Sequence, residues 1–237
     1  MARGYPDYSK SVGTTIEGKF LQQLADPPIW WHDNFDEPVN KWRSDIGTLS
    51  LFTEHSYEGH TYKPYRFGGM AFVESALGLF GSMFHYIGTF PLTYHLGFSC
   101  MFSISEQANW KDIENSLLLF WINYYTTSIM AAPYVSYNPR TGKWYYSADE
   151  GTTFVEMGTF LISTLFWHYA KLIIDPISKK YISFQIDSKV YDISTASYYT
   201  TADNANAYAL VKILTMADAG DKVGLHIDDY KVTYNES

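Results

Sequence analysis

The segment from Trp167 to Ser194, WHYAKLIIDPISKKYISFQIDSKVYDIS, constrains the fold of this chain more than any other stretch. Ala170, Leu172 and Ile174 alternate with Tyr169, Lys171 and Ile173 until Asp175-Pro176 interrupts the run. Ile182, Phe184 and Ile186 then alternate with Ser183, Gln185 and Asp187, and Asp187-Ser188-Lys189 supplies a tight reversal before Val190-Tyr191. A side-chain period of two turns one face of each strand to a core and the other to water. The stretch therefore predicts antiparallel strands joined by turns.

The same signal recurs from Ile29 onward. Residues 47–53, 70–76, 83–87, 93–105, 117–125, 132–137, 143–147, 154–160, 209–215 and 223–234 read as further strands, punctuated by Gly and Pro. Asn138-Pro139-Arg140-Thr141-Gly142 supplies the dihedrals of a hairpin turn, and SEQANWKDIENS (105–116) reads as a loop with a helical turn. Roughly a dozen short strands at this spacing predict an all-β antiparallel sandwich or barrel. A single domain over residues 29–237 is long enough to bury a large core. Residues 1–28 differ. ARGYPDYSKSVG is a polar arm, Thr14 and Thr15 can cap a short helix carrying Ile16, Phe20 and Leu24, and Asp26-Pro27-Pro28 ends it. Such an arm docks on its own domain or reaches a neighbouring subunit, and the expectation is a homo-oligomer or larger assembly through it.

Charge and cysteine content narrow the function. A net charge of −8, with 17 scattered basic residues, argues against a nucleic-acid partner. Cys100 is the sole cysteine, in an apolar run, so it reads as a buried inert thiol. Met1 to Lys10 is too polar for a signal peptide, and Gly and Pro cut the apolar stretches that would otherwise suggest a membrane helix. The aromatic content is high: 21 Tyr, 15 Phe and 7 Trp, 18% of the chain. Strands favour such rings, and rings beyond the needs of a core serve recognition or assembly.

Three pieces together resemble the concanavalin A-like lectin/glucanase superfamily. His32-Asp33-Asn34-Phe35-Asp36 followed by Trp42 is similar to the "D-x-F-D … W" opening of such domains. The Trp167–Ser194 hairpin pair is similar to their "W-x-x-v-x-l-x-x-D … g-x-y-x-v-x-v-D-g-k" element, and Gly224–Val232 to their closing "v-y-I-D-d-v-x-v" strand. The resemblance spans about residues 29–237 and implies a jelly-roll β-sandwich. The arm ARGYPDYSKSVG is also similar to the start of some virion-associated proteins, which makes a virion or cell surface the expected location.

The superfamily hosts lectins, glycoside hydrolases and structural modules, so the chemistry must come from the site. Its laminarinase-like members carry E-x-D-x-x-E on one strand, and no such run is present here. The nearest carboxylate pair is Asp112 and Glu114, with Glu106 upstream; two such groups about 5–9.5 Å apart define a glycosidase. No cofactor is required. The resemblance does imply a structural calcium where the first and last strands meet, with Asp33, Asp36 and Asp228 as oxygen ligands. His55 and His60, near Glu54 and Glu58, form the one histidine cluster, on a loop that makes a poor metal cage. There is no HExxH, GxSxG, Walker A or GxGxxG run.

Aromatic rings remain. Sugars stack their CH faces on Trp and Tyr while amides and carboxylates fix the hydroxyls. Tyr57, Tyr62, Tyr65, Trp144 and Tyr146 are the candidate glycan contacts, with Tyr145, Tyr198 and Tyr199 beside them; Trp30, Trp31, Trp42, Trp121 and Trp167 are assigned to the core. The expectation is a non-catalytic binding or structural module; the alternative is a glycoside hydrolase using Asp112 and Glu114.

Overall fold

The computed structural model describes residues 27–36, 41–57, 59–65, 69–89, 94–164, 166–203 and 207–236. In chain order the first strands are β1 (Ile29–Asp33), β2 (Thr48–Phe52), β3 (His55–Tyr57), β4 (His60–Tyr62), β5 (Met70–Glu74), β6 (Phe80–Gly88) and β7 (Leu96–Ile104). A single 3-10 turn (Gln107–Asn109) falls inside the expected loop. Then come β8 (Leu117–Tyr125), β9 (Ile129–Ala132), β10 (Tyr134–Asn138), β11 (Lys143–Ser147), β12 (Phe154–Thr159), β13 (His168–Asp175), β14 (Lys180–Ile186), β15 (Lys189–Asp192), β16 (Tyr199–Ala202), β17 (Tyr208–Met216) and β18 (Gly224–Tyr234). The helical stripe expected at Ile16, Phe20 and Leu24 lies outside the described residues.

Among the described residues two eight-stranded antiparallel sheets form, beside the two-stranded β3–β4 hairpin. The first runs β15-β14-β13-β7-β18-β5-β2, with β1 also paired to β18. The second runs β12-β11-β10-β8-β17-β6, with β9 joining β8 and β16 joining β9. Inner-facing residues of both sheets merge into one hydrophobic core that includes Phe98, Phe102, Phe120, Trp144, Phe184 and Tyr230. Fully burying one such ring stabilises the fold by roughly 1.5–3 kcal/mol, and rings from both sheets interdigitate here. The all-β sandwich expected from the alternation is thus observed. Cys100 is fully buried among these rings, and burial drives its thiol far above the ordinary range.

The alternation in the hairpin pair holds with one shift. Ala170, Leu172 and Ile174 face inward, as do Phe184 and Ile186. A bulge between Ile173 and Ile174, opposite Ser183 and Tyr181, brings Tyr181 into the core in place of Ile182. Tyr181 then crosses from the first sheet to the second. Its hydroxyl accepts the Tyr134 N–H at 2.9 Å and lies 2.9 Å from the Ser147 carbonyl and 3.1 Å from that of Tyr134.

The β3–β4 hairpin lies over the outer face of the first sheet. Tyr62 stacks on His226 of β18 at 3.8 Å and donates its hydroxyl to the Thr164 carbonyl at 3.1 Å. Phe52, Tyr57 and Phe72 close around the same spot.

Candidate functional site

The five glycan candidates do not converge. Trp144 is fully buried, stacked on Tyr137 at 4.4 Å with its indole N–H donated to the Phe160 carbonyl, so it belongs to the core. Tyr62 is equally unavailable beneath the hairpin it anchors. A ring without an open face cannot stack on a sugar, and both assignments are corrected. Tyr57 and Tyr65 are half-buried against Phe72 and Trp167, over the first sheet. Tyr146 is half-buried and lines a lateral groove of about 370 Å³ between the sheet edges β12 and β15. Tyr145 and Tyr198 are buried, and Tyr199 packs on the outer face of the second sheet.

The three aspartates are engaged elsewhere. Asp33 is buried and accepts the Phe35 N–H at 2.8 Å and the Trp42 indole N–H at 3.1 Å. Asp36 accepts the Gly69 N–H at 2.9 Å and the Asn34 side-chain amide, and Asp228, fully buried, accepts the Asp229 N–H at 2.6 Å. Among the described residues no group of three His, Cys, Asp or Glu is placed to hold a metal ion. The shared opening and closing motifs thus fix main chain and Trp42 here, and the calcium expectation is not met by these ligands.

Asp112 and Glu114 sit exposed in the turn after the 3-10 segment, where Asp112 receives the Asn138 side-chain N–H at 2.9 Å. That turn packs Ile113 on the second sheet, so its carboxylates serve a surface loop. A closer approach to catalytic geometry is Asp187, 2.7 Å from His168 Nδ1. Burial alone would raise the Asp187 carboxyl; His168 and the Tyr169 N–H outweigh it and hold the carboxyl below its usual value. His168 Nε2, however, faces the main-chain N–H and C=O of Ser163 at 3.1 and 3.0 Å. The imidazole ties a loop to a hairpin, and among the described residues no hydroxyl nucleophile is hydrogen-bonded to it.

The outer face of the second sheet is different. Its strands turn Ile122, Tyr124, Val135, Tyr137, Val211 and Ile213 into the core, so the alternate residues face out. Phe84, Lys212, Trp121 and Tyr134 stand in register across β6, β17, β8 and β10, and Tyr86, Leu210 and Asn123 form the next row. On the same face is a second, smaller apolar cluster of Leu118, Met130, Ala132, Tyr134, Leu214 and Met216, against which Trp121 and Tyr125 pack. The floor is therefore rigid and filled. Trp121, expected in the core, stands half-buried on this floor 5.2 Å from Tyr134. Trp30, likewise expected inside, is 44% exposed at the β1 edge.

Polar groups orient the rings. Asn123 Oδ1 accepts the Trp121 indole N–H at 3.2 Å and the Tyr134 hydroxyl at 3.0 Å, leaving the amide N–H groups of Asn123 without a partner among the described residues. Lys212 reaches across, 4.8 Å above the Trp121 ring and 3.0 Å from Asp45. At the far end Tyr125 and Tyr208 stack at 4.3 Å with Tyr86 edge-on at 5.7 Å, beside a cavity of about 210 Å³ whose walls include Thr126 and Thr127. Burial, then the Tyr208 phenol and the Asp203 and Glu150 carboxylates, push the Tyr125 phenol up to about 12. The signal missed in the sequence was the run LLLFWINYY, whose outward residues are as apolar as its inward ones.

Two antiparallel sheets packed face to face in this strand order define an all-β sandwich. No protein-family model and no curated protein matches the sequence. Among solved structures, the chain is similar to a conserved carbohydrate esterase from the Shiga toxin-encoding bacteriophage phi24B. Identity is 12%, the match covers 89% of this chain and 100% of that one, and the TM-score is 0.55. It is also similar to peanut lectin (11% identity, 87% and 98% covered, TM-score 0.48) and to the potassium-bound carbohydrate recognition domain of Emp46p (12%, 86% and 96%, 0.47). At these identities the likeness concerns the fold, and the phage esterase carries it.

Proposed function

We propose that this protein is a non-catalytic carbohydrate-binding module of a larger assembly, of virion or cell-surface type, and that it holds its glycan on the outer face of the second sheet. The observation that carries the reading is the coincidence of Trp121, Tyr86, Tyr125 and Tyr208 with the open amide of Asn123 on one rigid sheet face. Flat rings supply the apolar face a pyranose needs, and a fixed amide discriminates among hydroxyls. The packed cluster on the same face holds Trp121 and Tyr125 in place before ligand arrives, which lowers the ordering cost of binding. A similar fold occurs in a bacteriophage carbohydrate esterase. Assembly belongs to the same proposal: the arm of residues 1–28, with Ile16, Phe20 and Leu24, supplies the intersubunit contact.

Two measurements test it. A glycan array followed by titration calorimetry should return oligosaccharide ligands whose affinity falls in Trp121→Ala while the melt stays cooperative; a folded protein that binds no glycan overturns the reading. Deleting residues 1–25 should shift the mass toward monomer in light scattering, and a full-length chain already monomeric at micromolar concentration overturns the assembly part.

A further inference from the structure

Resting on the assembly part of that reading, we propose that Trp30, Tyr234 and Tyr94 form the seat on which the arm of a second copy docks, so that two chains exchange arms. Three features point this way. The first is a row of rings built across neighbouring strands. In β1, Ile29 pairs with Thr233 and Trp31 with Val232, and Trp30 falls between them, outside the register. Trp31 turns toward the core onto Trp42 and His85, while Trp30 is 44% exposed. A bulge of this kind re-aims one side chain out of the alternation. Tyr234, at the end of β18, meets Trp30 edge-on at 6.4 Å. Tyr94, two residues before β7 and 47% exposed, meets Tyr234 at 6.0 Å. Tryptophan and tyrosine clustered in this way are the residues that anchor interfaces.

The second feature is the spacing of the row. Ile16, Phe20 and Leu24 recur every four residues, and four residues of α-helix rise about 6 Å. The ring centroids advance by 6.4 and then 6.0 Å, so each apolar side chain of the stripe can meet one ring. The third feature is how the chain enters the body. Pro28 lies in line with β1, its carbonyl accepting the Tyr234 N–H at 3.0 Å, and Pro27 precedes it. A residue before proline is driven to the extended region and proline fixes its own φ, so Pro27-Pro28 carries the chain straight past the end of the sheet. A helix attached there points away from its own row. Leu24 is three residues from Pro27, too few to double back across a stiff link. The same row on a second copy has no such restriction. Exchange makes the contact self-complementary: each copy gives one stripe and receives one, which doubles the buried area and closes the contact at two chains.

Sedimentation equilibrium on the full-length chain at micromolar concentration should return twice the chain mass. The combined Trp30→Ser, Tyr94→Ser variant should return the single mass and keep a cooperative melt, since both rings stand at the surface. Crosslinking reads the exchange itself. One chain carries Phe20→Cys and a second, differently tagged, carries Tyr94→Cys, while the native Cys100 is buried away from the reagent. A short bis-maleimide should join the two tags in one covalent dimer. In a chain carrying both cysteines, crosslinks confined to single chains would mean that each arm lies on its own body. No crosslink in either arrangement would mean that the arm sits elsewhere, and each of these results overturns the inference. A native dimer whose mass the double serine variant leaves unchanged overturns the seat and leaves the assembly reading standing. A monomeric native chain overturns both. If the serine variant does not fold, the crosslinks decide.

Discussion

His226 and His55 point ring nitrogens at each other across 2.9 Å, with His226 fully buried under the β3–β4 hairpin. Only one proton fits between these two nitrogens, so the contact opposes charging both rings. A charged His226 carries an N–H on both ring nitrogens, and its Nδ1 has no hydrogen-bond partner among the described residues. Burial, then the facing His55, pulls His226 down from 6.5 to about 3, and burial lowers His55 against a weaker opposing pull from Glu74.

Stability should therefore depend on pH in one direction. The unfolded chain takes up the His226 proton near 6.5 while the folded chain refuses it until about 3. The contribution is complete above 6.5 and is lost as pH falls through that window, at up to about 1.4 kcal/mol per pH unit. Melts recorded from about pH 7.5 to 4.5 should show the decline, and His226→Phe should flatten it relative to the native chain. A native melting temperature that does not move across that range would sink the argument.

Tyr181→Phe should destabilise without changing the fold. The ring keeps its packing, but the buried Tyr134 N–H loses its acceptor and two carbonyls lose their shared donor. A buried donor left unsatisfied costs about 1–3 kcal/mol, which chemical denaturation at constant m-value would read. A change below about 0.5 kcal/mol would mean water replaces the hydroxyl.

At the opening motif, Asp33→Ala should cost about 2–4 kcal/mol, because it frees both the Phe35 N–H and the Trp42 indole N–H in a buried corner. Asp33→Asn keeps one acceptor oxygen and should cost less than half as much. Near-equal losses in the two variants would show that charge, not hydrogen bonding, is what the site requires.

Trp121→Ala should weaken glycan binding by about 2 kcal/mol, roughly 30-fold, the loss typical of an aromatic anchor at the centre of a contact. The melt should fall modestly, since Trp121 is half-buried on the surface of its cluster. Full affinity in this variant would move the ligand off the second sheet.

The fold was legible because strand alternation is local. Ala170, Leu172 and Ile174 declare their face within six residues, and all three motif pieces fall in the first sheet, with the closing strand between the opening strand and the hairpin pair. The site was not legible, for two reasons. In KWYYS the period says that Trp144 and Tyr146 share a face but not which face, and a slip of one residue exchanges core for surface. In LLLFWINYY bulges opposite Ser136 and Leu214 break the period outright, so Trp121 could not be sorted from Phe120. Tyr62 was lost differently: its partner His226 stands 164 positions away, beyond any local pattern.

The placement of β18 bears on how such a chain is made. That strand runs through the middle of the first sheet, bonded to β7 on one side and to β5 and β1 on the other. During synthesis, β1, β5 and β7 all leave the ribosome well before residues 224–234 exist to pair with them. Until then the sheet is two fragments with bare, apolar edges, an arrangement prone to joining the wrong chain. Closure of the first sheet is a late event that β1, β5 and β7 await. The first sheet is therefore most open to mispairing in the interval before residues 224–234 are made.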